Sequence, residues 1–314
     1  MRSRSLAVGI AFLAAGCSWT GIDAASNAPS TSNAPSIRNA PRGTPTSPPF
    51  DPMTDRTDRI QGFVPSTFAV IGDFGSADER EQAVADRMCS YRRKHPFDHV
   101  LTTGDNVYPD GDPKRFAAAF FQPFECLLSA GVRFHASLGN HDVLTKNGLP
   151  QIRREIFGMP GRNYVFRESG VRFVVADSNS LNFRWLRRAT RSKDGDHWTV
   201  VLFHHPVYSG GTGHGPTLGF AETLPPLFEK RGVDLVLNGH DHVYSVTREV
   251  RGIRYVVTGG GGARSYGCRV EAPVRKCISR LHFLYITATA THLRVEAVPA
   301  RGSAIHSFKT RGRA

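Results

Sequence analysis

Five short hydrophobic runs in this chain each stop at residues whose side chains offer oxygen or nitrogen donors to metal ions. In chain order, STFAVI leads into Gly72-Asp73, HVLTT into Gly104-Asp105, RFHASL into Gly139-Asn140-His141, WTVVLF into His204-His205 and VDLVLN into Gly239-His240-Asp241-His242. Loops at the carboxyl ends of strands in an open α/β sheet gather at one crevice. The five loops are therefore expected to converge on one site.

Helical patterns fill the intervals between these runs, which is typical of an α/β protein. The predicted helices are 78–94, 114–130, 182–191 and 224–231. The steps from Asp73 to Asp105, Asp105 to Asn140 and His204 to His240 are 32, 35 and 36 residues. Such steps fit units of one strand followed by one helix.

The donor types in the loops favour metal binding only when the loops are taken together. An aspartate after a glycine is usually a turn residue, and a single histidine is usually a core or surface group. Here five successive loops all present oxygen or nitrogen donors and none presents a thiolate. That set predicts a site for hard or borderline cations.

The five loops resemble the motifs of the calcineurin-like metallophosphoesterase superfamily, and in particular of its purple acid phosphatases of the small, tartrate-resistant type. The family pattern DxG, GDxxY, GNH(D/E), VxxH and GHxH stands here as Asp73-Phe74-Gly75, Gly104-Asp105-Asn106-Val107-Tyr108, Gly139-Asn140-His141-Asp142, Val201-Leu202-Phe203-His204 and Gly239-His240-Asp241-His242. The resemblance covers about 67–262. It implies an α/β fold, a four-layer αββα sandwich of two mixed β-sheets flanked by helices.

The resemblance also implies a ligand set for two metal ions. One ion would be held by Asp73, Asp105, Tyr108 and His242, and the other by Asp105, Asn140, His204 and His240, with Asp105 as the bridge. Many relatives carry a histidine where this chain has Gly75. In the resemblance, Tyr108 takes the coordination position of that histidine.

The tyrosine indicates which metals the site would hold. A phenol has a pKa near 10, so a phenolate ligand near neutral pH requires a strongly Lewis-acidic ion such as Fe³⁺. Two histidines and an amide suit a borderline divalent ion, which would be zinc, iron or manganese. A ferric and a divalent ion outweigh two carboxylates and one phenolate, so the site is expected to attract anions.

The implied activity is that of an acid phosphatase, a metal-dependent phosphoric monoester hydrolase acting on small phosphorylated substrates. A metal-bound hydroxide would attack phosphorus directly, and His141 or His214 would protonate the leaving group. Gly213 departs from the family, whose small members often carry a glutamate there. His205, next to His204, could compensate for that glutamate, but packing on the second sheet is favoured because adjacent strand residues face opposite ways.

Two other functions stay open at this stage. The first is a phosphodiesterase or nuclease of the same superfamily with two divalent metals, against which Tyr108 weighs. The second is a non-catalytic surface lipoprotein that binds phosphate or iron, against which the complete ligand set weighs. Hydrolysis of a phosphomonoester and of a phosphodiester would separate the three.

The N-terminal region predicts export. Residues 1–17, MRSRSLAVGIAFLAAGC, have a basic start, an apolar core and a lipobox-like end at Cys17, which would be a lipid anchor to the bacterial cell envelope. An ordinary secretory peptide is the alternative. Residues 18–62 are rich in Ser, Thr, Pro and Asn and read as a disordered tether, which leaves 63–314 as the catalytic domain.

The charge of the chain favours anionic partners. The formal net charge is +13 at pH 7, a field that attracts anionic substrates or surfaces. The basic run RWLRRATR at 184–191 has no aromatic-interleaved binding motif beside it. A solvated helix face is therefore favoured over a specific nucleic-acid site.

The remaining features are expected to be structural. After Cys17 four cysteines remain, which allow three pairings; proximity favours Cys268 with Cys277 and so Cys89 with Cys126, with free buried thiols as the alternative. The glycines at 259–262 lack the Lys-Ser/Thr of a P-loop and predict close backbone packing. Asp177 is expected to serve in a turn or behind the ligands.

Overall fold

Two β-sheets carry the loops that the sequence singles out. The computed structural model describes residues 63–191 and 196–311, so the predicted signal peptide and tether lie outside the described residues. The strands are β1 (Ser66–Ile71), β2 (His99–Thr102), β3 (Arg133–Ala136), β4 (Tyr164–Glu168), β5 (Val171–Val175), β6 (Trp198–Leu202), β7 (Leu235–Asn238), β8 (Tyr244–Thr247), β9 (Arg254–Thr258), β10 (Val274–Ile278), β11 (His282–Ala288), β12 (His292–Pro299) and β13 (His306–Arg311).

Both sheets are mixed. The first has the order β13-β12-β11-β1-β2-β3, with β1, β2 and β3 parallel and the other three strands antiparallel to their neighbours. The second has the order β10-β8-β9-β7-β6-β5-β4, and β5, β6, β7 and β9 run parallel at its centre. All five strands that precede the metal-binding motifs are thus parallel to a neighbour, as their crossover spacing predicts.

The two sheets pack face to face and helices cover their outer faces. Phe68 of β1 meets Phe173 of β5 edge to face, with ring centroids 5.0 Å apart. Along β5 the side chains alternate, so Phe173 faces the first sheet while Val174 faces the outer helices. This arrangement is the predicted αββα sandwich of two mixed sheets with flanking helices.

Five α-helices are present among the described residues: α1 (Glu79–Arg92), α2 (Glu125–Ser129), α3 (Leu149–Ile152), α4 (Phe183–Ala189) and α5 (Phe220–Lys230). Helix α1 begins where predicted because the Asp78 carboxylate accepts hydrogen bonds from the amides of Arg80 and Glu81. Helix α4 buries Leu186 and exposes its arginines. The prediction of a solvated basic helix face is therefore confirmed.

Two helix predictions need correction. The segment predicted as one helix at 114–130 is a 3₁₀ turn at Pro113–Arg115, a π-helical turn at Ala117–Phe121 and then α2. Pro123 lacks an amide hydrogen, so a continuous helix is interrupted before α2. Helix α5 begins at Phe220, four residues earlier than predicted, because Phe220 packs against the same core cluster as Leu224 and Phe228 at helical spacing.

Two disulfides link the pairs that proximity favoured. Cys89 of α1 is bonded to Cys126 of α2 with Cα atoms 6.2 Å apart, and Cys268 is bonded to Cys277 of β10 with Cα atoms 5.6 Å apart. The alternative of free thiols is wrong for these four cysteines.

Across residues 63–191 and 196–311, no helix has both the length and the apolar character needed to cross a bilayer.

Candidate metal centre

The five motif loops meet at the carboxyl ends of strands from both packed sheets. The loops after β1, β2 and β3 leave the first sheet, and the loops after β6 and β7 leave the second. Asp73, Asp105 and His204 are buried and offer ligand atoms that all lie within 4.8 Å of one another. Residues from both sheets therefore share one site.

One group of side chains surrounds the Tyr108 hydroxyl. This oxygen lies 3.0 Å from Asp105 Oδ2, 3.2 Å from His242 Nε2 and 3.4 Å from Asp73 Oδ1. His242 Nε2 lies 3.5 Å from Asp73 Oδ1. Two carboxylates, one phenol and one imidazole thus surround a common volume.

A second group surrounds the Nε2 atom of His204. It lies 2.9 Å from Asn140 Oδ1, 3.2 Å from His240 Nδ1 and 3.4 Å from Asp105 Oδ2. The same Asp105 oxygen approaches Tyr108 in the first group. The structure therefore brings all seven predicted ligands together, and Asp105 stands between the two groups.

The chemistry of the facing atoms fits a pair of cations. His204 Nδ1 lies 2.9 Å from the Thr103 carbonyl, and His242 Nδ1 lies 2.8 Å from the Arg264 carbonyl, so each Nδ1 carries the proton. Each Nε2 lone pair therefore points into its ligand group, where His204 faces the Asn140 amide oxygen and His242 faces the Tyr108 hydroxyl. A metal ion satisfies such converging acceptors, and carbonyl partners of this kind orient histidine ligands.

Burial disfavours the charged forms of the aspartate and histidine side chains throughout the centre. It raises the pKa of Asp73 well above its ordinary range, and neighbouring Asp105 raises it further. It also lowers the pKa of His204 well below its ordinary range and, together with His204, lowers the pKa of His240 to about 2. Two buried carboxylates beside neutral imidazoles need positive charge, which a metal pair supplies.

The two histidines predicted to act in catalysis flank different sides of the centre. His141 lies beside the first group, with its ring centroid 4.7 Å from that of Tyr108 and its backbone amide donating to Asp105 Oδ1. His214 lies over the second group, with its ring stacked 4.1 Å from that of His240. Both are partly exposed to solvent and reach the mouth of the site.

Comparison with known families decides what kind of protein carries this centre. The model of the calcineurin-like phosphoesterase family matches residues 66–244, which include all five motif loops. The chain belongs to the calcineurin-like phosphoesterase family.

Two sequence relatives and one solved structure are purple acid phosphatases. This phosphoesterase is 27% identical to purple acid phosphatase 17 of Arabidopsis thaliana over 78% of this chain and 84% of that protein. It is 29% identical to purple acid phosphatase 7 of the same plant over 65% of this chain and 72% of that protein. The purple acid phosphatase from yellow lupin seeds shares the fold, with a TM-score of 0.66 and 17% identity over 79% of this chain. The chain spans 54% of the lupin protein.

A second solved structure shares the fold equally well. GAP50, described as the anchor in the inner membrane complex of Plasmodium, has a TM-score of 0.67 and 18% identity, with 80% of this chain and 90% of that chain covered. At this identity the match shows the fold alone.

The backbone of the phosphoesterase is strained at three of the predicted ligands. Asp73, Asp105 and His240 have φ angles of 56°, 52° and 73°, in the left-handed region that costs non-glycine residues about 1 kcal/mol or more each. The His240 amide donates to both oxygens of Asp73 at 3.0 Å, which holds two of these residues together. Such strain is typical of functional sites.

Gly75 explains how the tyrosine enters the ligand group. The Gly75 carbonyl accepts a hydrogen bond of 2.8 Å from the Tyr108 amide. A Cβ atom on Gly75 would overlap the Asn106 backbone and lie 2.6 Å from Val107 Cα. The loop that delivers Tyr108 therefore occupies the space that a side chain at 75 would need, which gives a physical reason for the pairing of these two residues.

Asp142 is a residue whose role sequence reasoning missed. It is fully buried and accepts hydrogen bonds from the amides of Asn106 and Gly139, at 3.0 and 2.8 Å, and from Gln151 Nε2 at 2.6 Å. It therefore ties the loop of Asp105 to the loop of Asn140. Its place as the last residue of the GNH(D/E) motif was the signal in the sequence that could have found it.

The expectation that His205 packs away from the site is wrong. Strand β6 ends at Leu202, so strand alternation does not extend to His205. Its ring centroid lies 4.7 Å from that of His240, and its Nδ1 lies 2.8 Å from Ser178 Oγ. His205 is therefore part of the rim of the centre.

The expected structural residues behave as predicted. Asp177 caps the 3₁₀ turn at Ser178–Ser180 and pairs with Arg162 at 2.9 Å. In the glycine run, the Gly261 amide donates to the carbonyl of Gly72, and a Cβ atom on Gly259 would lie 2.9 Å from Asp73 Oδ2. The glycines allow close approach of the backbone behind Asp73.

Proposed function

We propose that this chain is an exported acid phosphatase that hydrolyses phosphomonoesters at a binuclear centre of Fe(III) and a divalent metal. The observation that carries the proposal is the shared Asp105 oxygen, 3.0 Å from the Tyr108 hydroxyl on one side and 3.4 Å from His204 Nε2 on the other. The likeness to plant purple acid phosphatases supports it.

The proposed ligands divide by chemistry. Asp73, Tyr108 and His242 would hold the ferric ion with Asp105, since a hard phenolate oxygen suits Fe(III). Asn140, His204 and His240 would hold zinc, ferrous iron or manganese on the other side of Asp105.

When bound, the two cations supply positive charge that orients a phosphate and activates water for in-line attack on phosphorus. The residues of the chain do the rest. His141 and His214 stand at opposite sides of the mouth, where they can hold the phosphate oxygens and deliver a proton to the leaving alkoxide.

Hydrolysis of two ester classes tests the activity. Purified protein should hydrolyse a chromogenic phosphomonoester at about pH 5 faster than a phosphodiester, and Asp105→Asn should lose the activity while the exposed Asp86→Asn keeps it. Faster diester cleavage would indicate a phosphodiesterase or nuclease. Metal or phosphate binding without turnover would indicate a non-catalytic binding protein.

The ferric ion has a test of its own. A ferric phenolate should give a visible absorption band that Tyr108→Phe abolishes, with iron found by metal analysis. A colourless, iron-free and fully active protein would exclude this part of the proposal.

Export and lipid attachment are proposed from residues 1–17 and are supported by the two disulfides, which are typical of oxidising compartments. Mass spectrometry of the mature protein should find an acylated Cys17 at the N-terminus. In a detergent phase separation, the wild type should partition into the detergent phase and Cys17→Ser into the aqueous phase. An unmodified N-terminal methionine would contradict export.

A further inference from the structure

Tyr266 lies at the mouth of the candidate centre, on a segment that no sequence motif marks. Its ring stacks on that of His242, with centroids 4.2 Å apart and planes at 16°. Its hydroxyl lies 3.3 Å from His214 Nε2. One side chain thus contacts a proposed ligand and a proposed proton donor.

His214 is held by three contacts from two segments, the loop of His240 and Asp241 and the segment of Tyr266. Its ring stacks on that of His240 at 25°, its edge meets the Tyr266 hydroxyl, and its backbone amide donates to Asp241 Oδ1 at 2.8 Å. Of these contacts only the one with Tyr266 involves a ring nitrogen. This contact therefore fixes the rotation of the His214 ring about its Cβ–Cγ bond.

The hydroxyl also affects where His214 carries its protons. When the Tyr266 O–H donates to Nε2, a neutral ring has its proton on Nδ1; when the ring is cationic, Nε2–H donates to the tyrosine oxygen and Nδ1 also carries a proton. Within the described part of the chain, Nδ1 has no hydrogen-bonding partner. Nδ1–H is thus free to meet a leaving group.

We propose that Tyr266 is a positioning residue that fixes the orientation of His214, so that Nδ1–H faces the substrate; the inference rests on the proposed function. Tyr266 acts through His214 and needs no contact with the substrate. It would matter most for esters whose leaving group must receive a proton.

Gly213 fits this arrangement. A Cβ atom on Gly213 would overlap the ring of Tyr266. The chain can therefore have either a side chain at 213 or the tyrosine ring in its present place. This accounts for glycine at a position that often carries glutamate in the small acid phosphatases.

The segment that carries Tyr266 is tied to the loop that carries His214. The Tyr266 amide donates to the His242 carbonyl at 3.2 Å, and the Thr212 amide donates to the Gly267 carbonyl at 3.0 Å. The adjacent Cys268 is bonded to Cys277. The tyrosine is therefore held on a cross-linked segment, as a positioning residue needs to be.

Crystal structures of the metal-loaded wild type and Tyr266→Phe test the contact without measuring activity. Phenylalanine keeps the stack on His242 and removes only the hydroxyl. We expect unchanged metal content and a His214 ring that occupies more than one orientation. A single His214 orientation identical to that of the wild type would overturn the inference.

Kinetics with two phosphomonoesters test the consequence. For Tyr266→Phe, kcat with an alkyl phosphate should fall about tenfold, while kcat with a nitrophenyl phosphate, whose leaving group needs no proton, should change by less than about twofold. KM should stay constant for both. Tyr91→Phe, which removes a hydroxyl from a ring packed on Phe283 outside the site, is the matched control. Equal effects on both esters, or no effect, would contradict the role of Tyr266.

A double-mutant cycle tests the link to Gly213. Gly213→Ala should lower kcat with the alkyl phosphate in the wild type and have little further effect in Tyr266→Ala, because the ring that it overlaps is gone. Additive losses would overturn the link. If the wild type hydrolyses neither ester, the proposed function fails, and the crystal structures alone decide whether Tyr266 orients His214.

Discussion

At the scale of single residues, the centre depends on side chains that position the ligands as much as on the ligands. Asp142 accepts hydrogen bonds from two motif loops and from Gln151, and so ties the loop of Asp105 to the loop of Asn140. Burial raises its pKa to about 7, and the nearby Asp105 raises it as well. A carboxylate at this depth is stable only because several donors converge on it.

We expect Asp142→Asn to damage both stability and metal retention. The amide group would direct N–H bonds at backbone amides, which leaves buried donors unpaired and costs about 3 kcal/mol in the free energy of unfolding. Metal affinity should fall by about 10- to 100-fold, as for other residues that orient ligands. Denaturant unfolding and metal analysis measure the two effects. Asp86→Asn, an exposed aspartate on α1, should change neither.

At the scale of elements, the two disulfides secure different parts of the molecule. Cys89–Cys126 joins helices α1 and α2, whereas Cys268–Cys277 closes a loop that begins two residues after Tyr266. The bonded cysteines are 37 positions apart in the sequence in the first case and 9 positions apart in the second. A longer closed loop restricts the unfolded chain more, so the first bond should contribute more to stability.

We expect the disulfide variants to separate stability from activity. Replacing Cys89 and Cys126 by serine should lower the free energy of unfolding by about 4 kcal/mol and leave kcat of the folded protein nearly unchanged. Replacing Cys268 and Cys277 should cost about 3 kcal/mol and also lower kcat. Denaturant unfolding curves measure the loss of stability. Kinetics at a temperature where both variants are folded measure kcat. An equal loss of kcat in both would contradict it.

At the scale of the whole molecule, the centre joins the two sheets. Asp73, Asp105 and Asn140 follow strands of the first sheet, and the histidines of the centre follow strands of the second. His282 of β11 makes a further link, since its Nε2 lies 3.1 Å from Thr258 Oγ1 of β9 and its Nδ1 lies 2.9 Å from the Arg280 carbonyl. Both links involve buried polar groups between the sheets.

Removal of metal should therefore weaken the entire fold. Chelation would leave buried Asp73 and Asp105 without counter-charge, and a ligand present at about a thousand times its Kd contributes about 4 kcal/mol to stability. We expect a lower Tm after chelation and recovery when the metal ions are restored. In Asp105→Asn the shift should be much smaller. An unchanged Tm in the wild type would show that the sheets pack independently of metal.

His282 should make stability depend on pH. Burial lowers its pKa to about 4, whereas the unfolded chain titrates near 6.5. The unfolded state therefore binds more protons between these values, so stability is full above about pH 6.5 and falls by about 3 kcal/mol as the pH drops to about 4. His282→Gln should be less stable at pH 7 and show a shallower slope in denaturant unfolding from pH 7 to 4. His95→Gln, at an exposed position, should keep the slope of the wild type.

The five strands before the motif loops and the donor atoms in those loops could be predicted from the sequence, because they depend on patterns within a few residues of one another. The place of His205, the hydrogen bonds of Asp142 and the contact between Tyr266 and His214 could not, because each depends on segments distant in the chain. His205 shows the difference most clearly. Strand alternation predicted its side chain to point away, but the strand ends before it, and its position is set by Ser178 and His240 from two other loops.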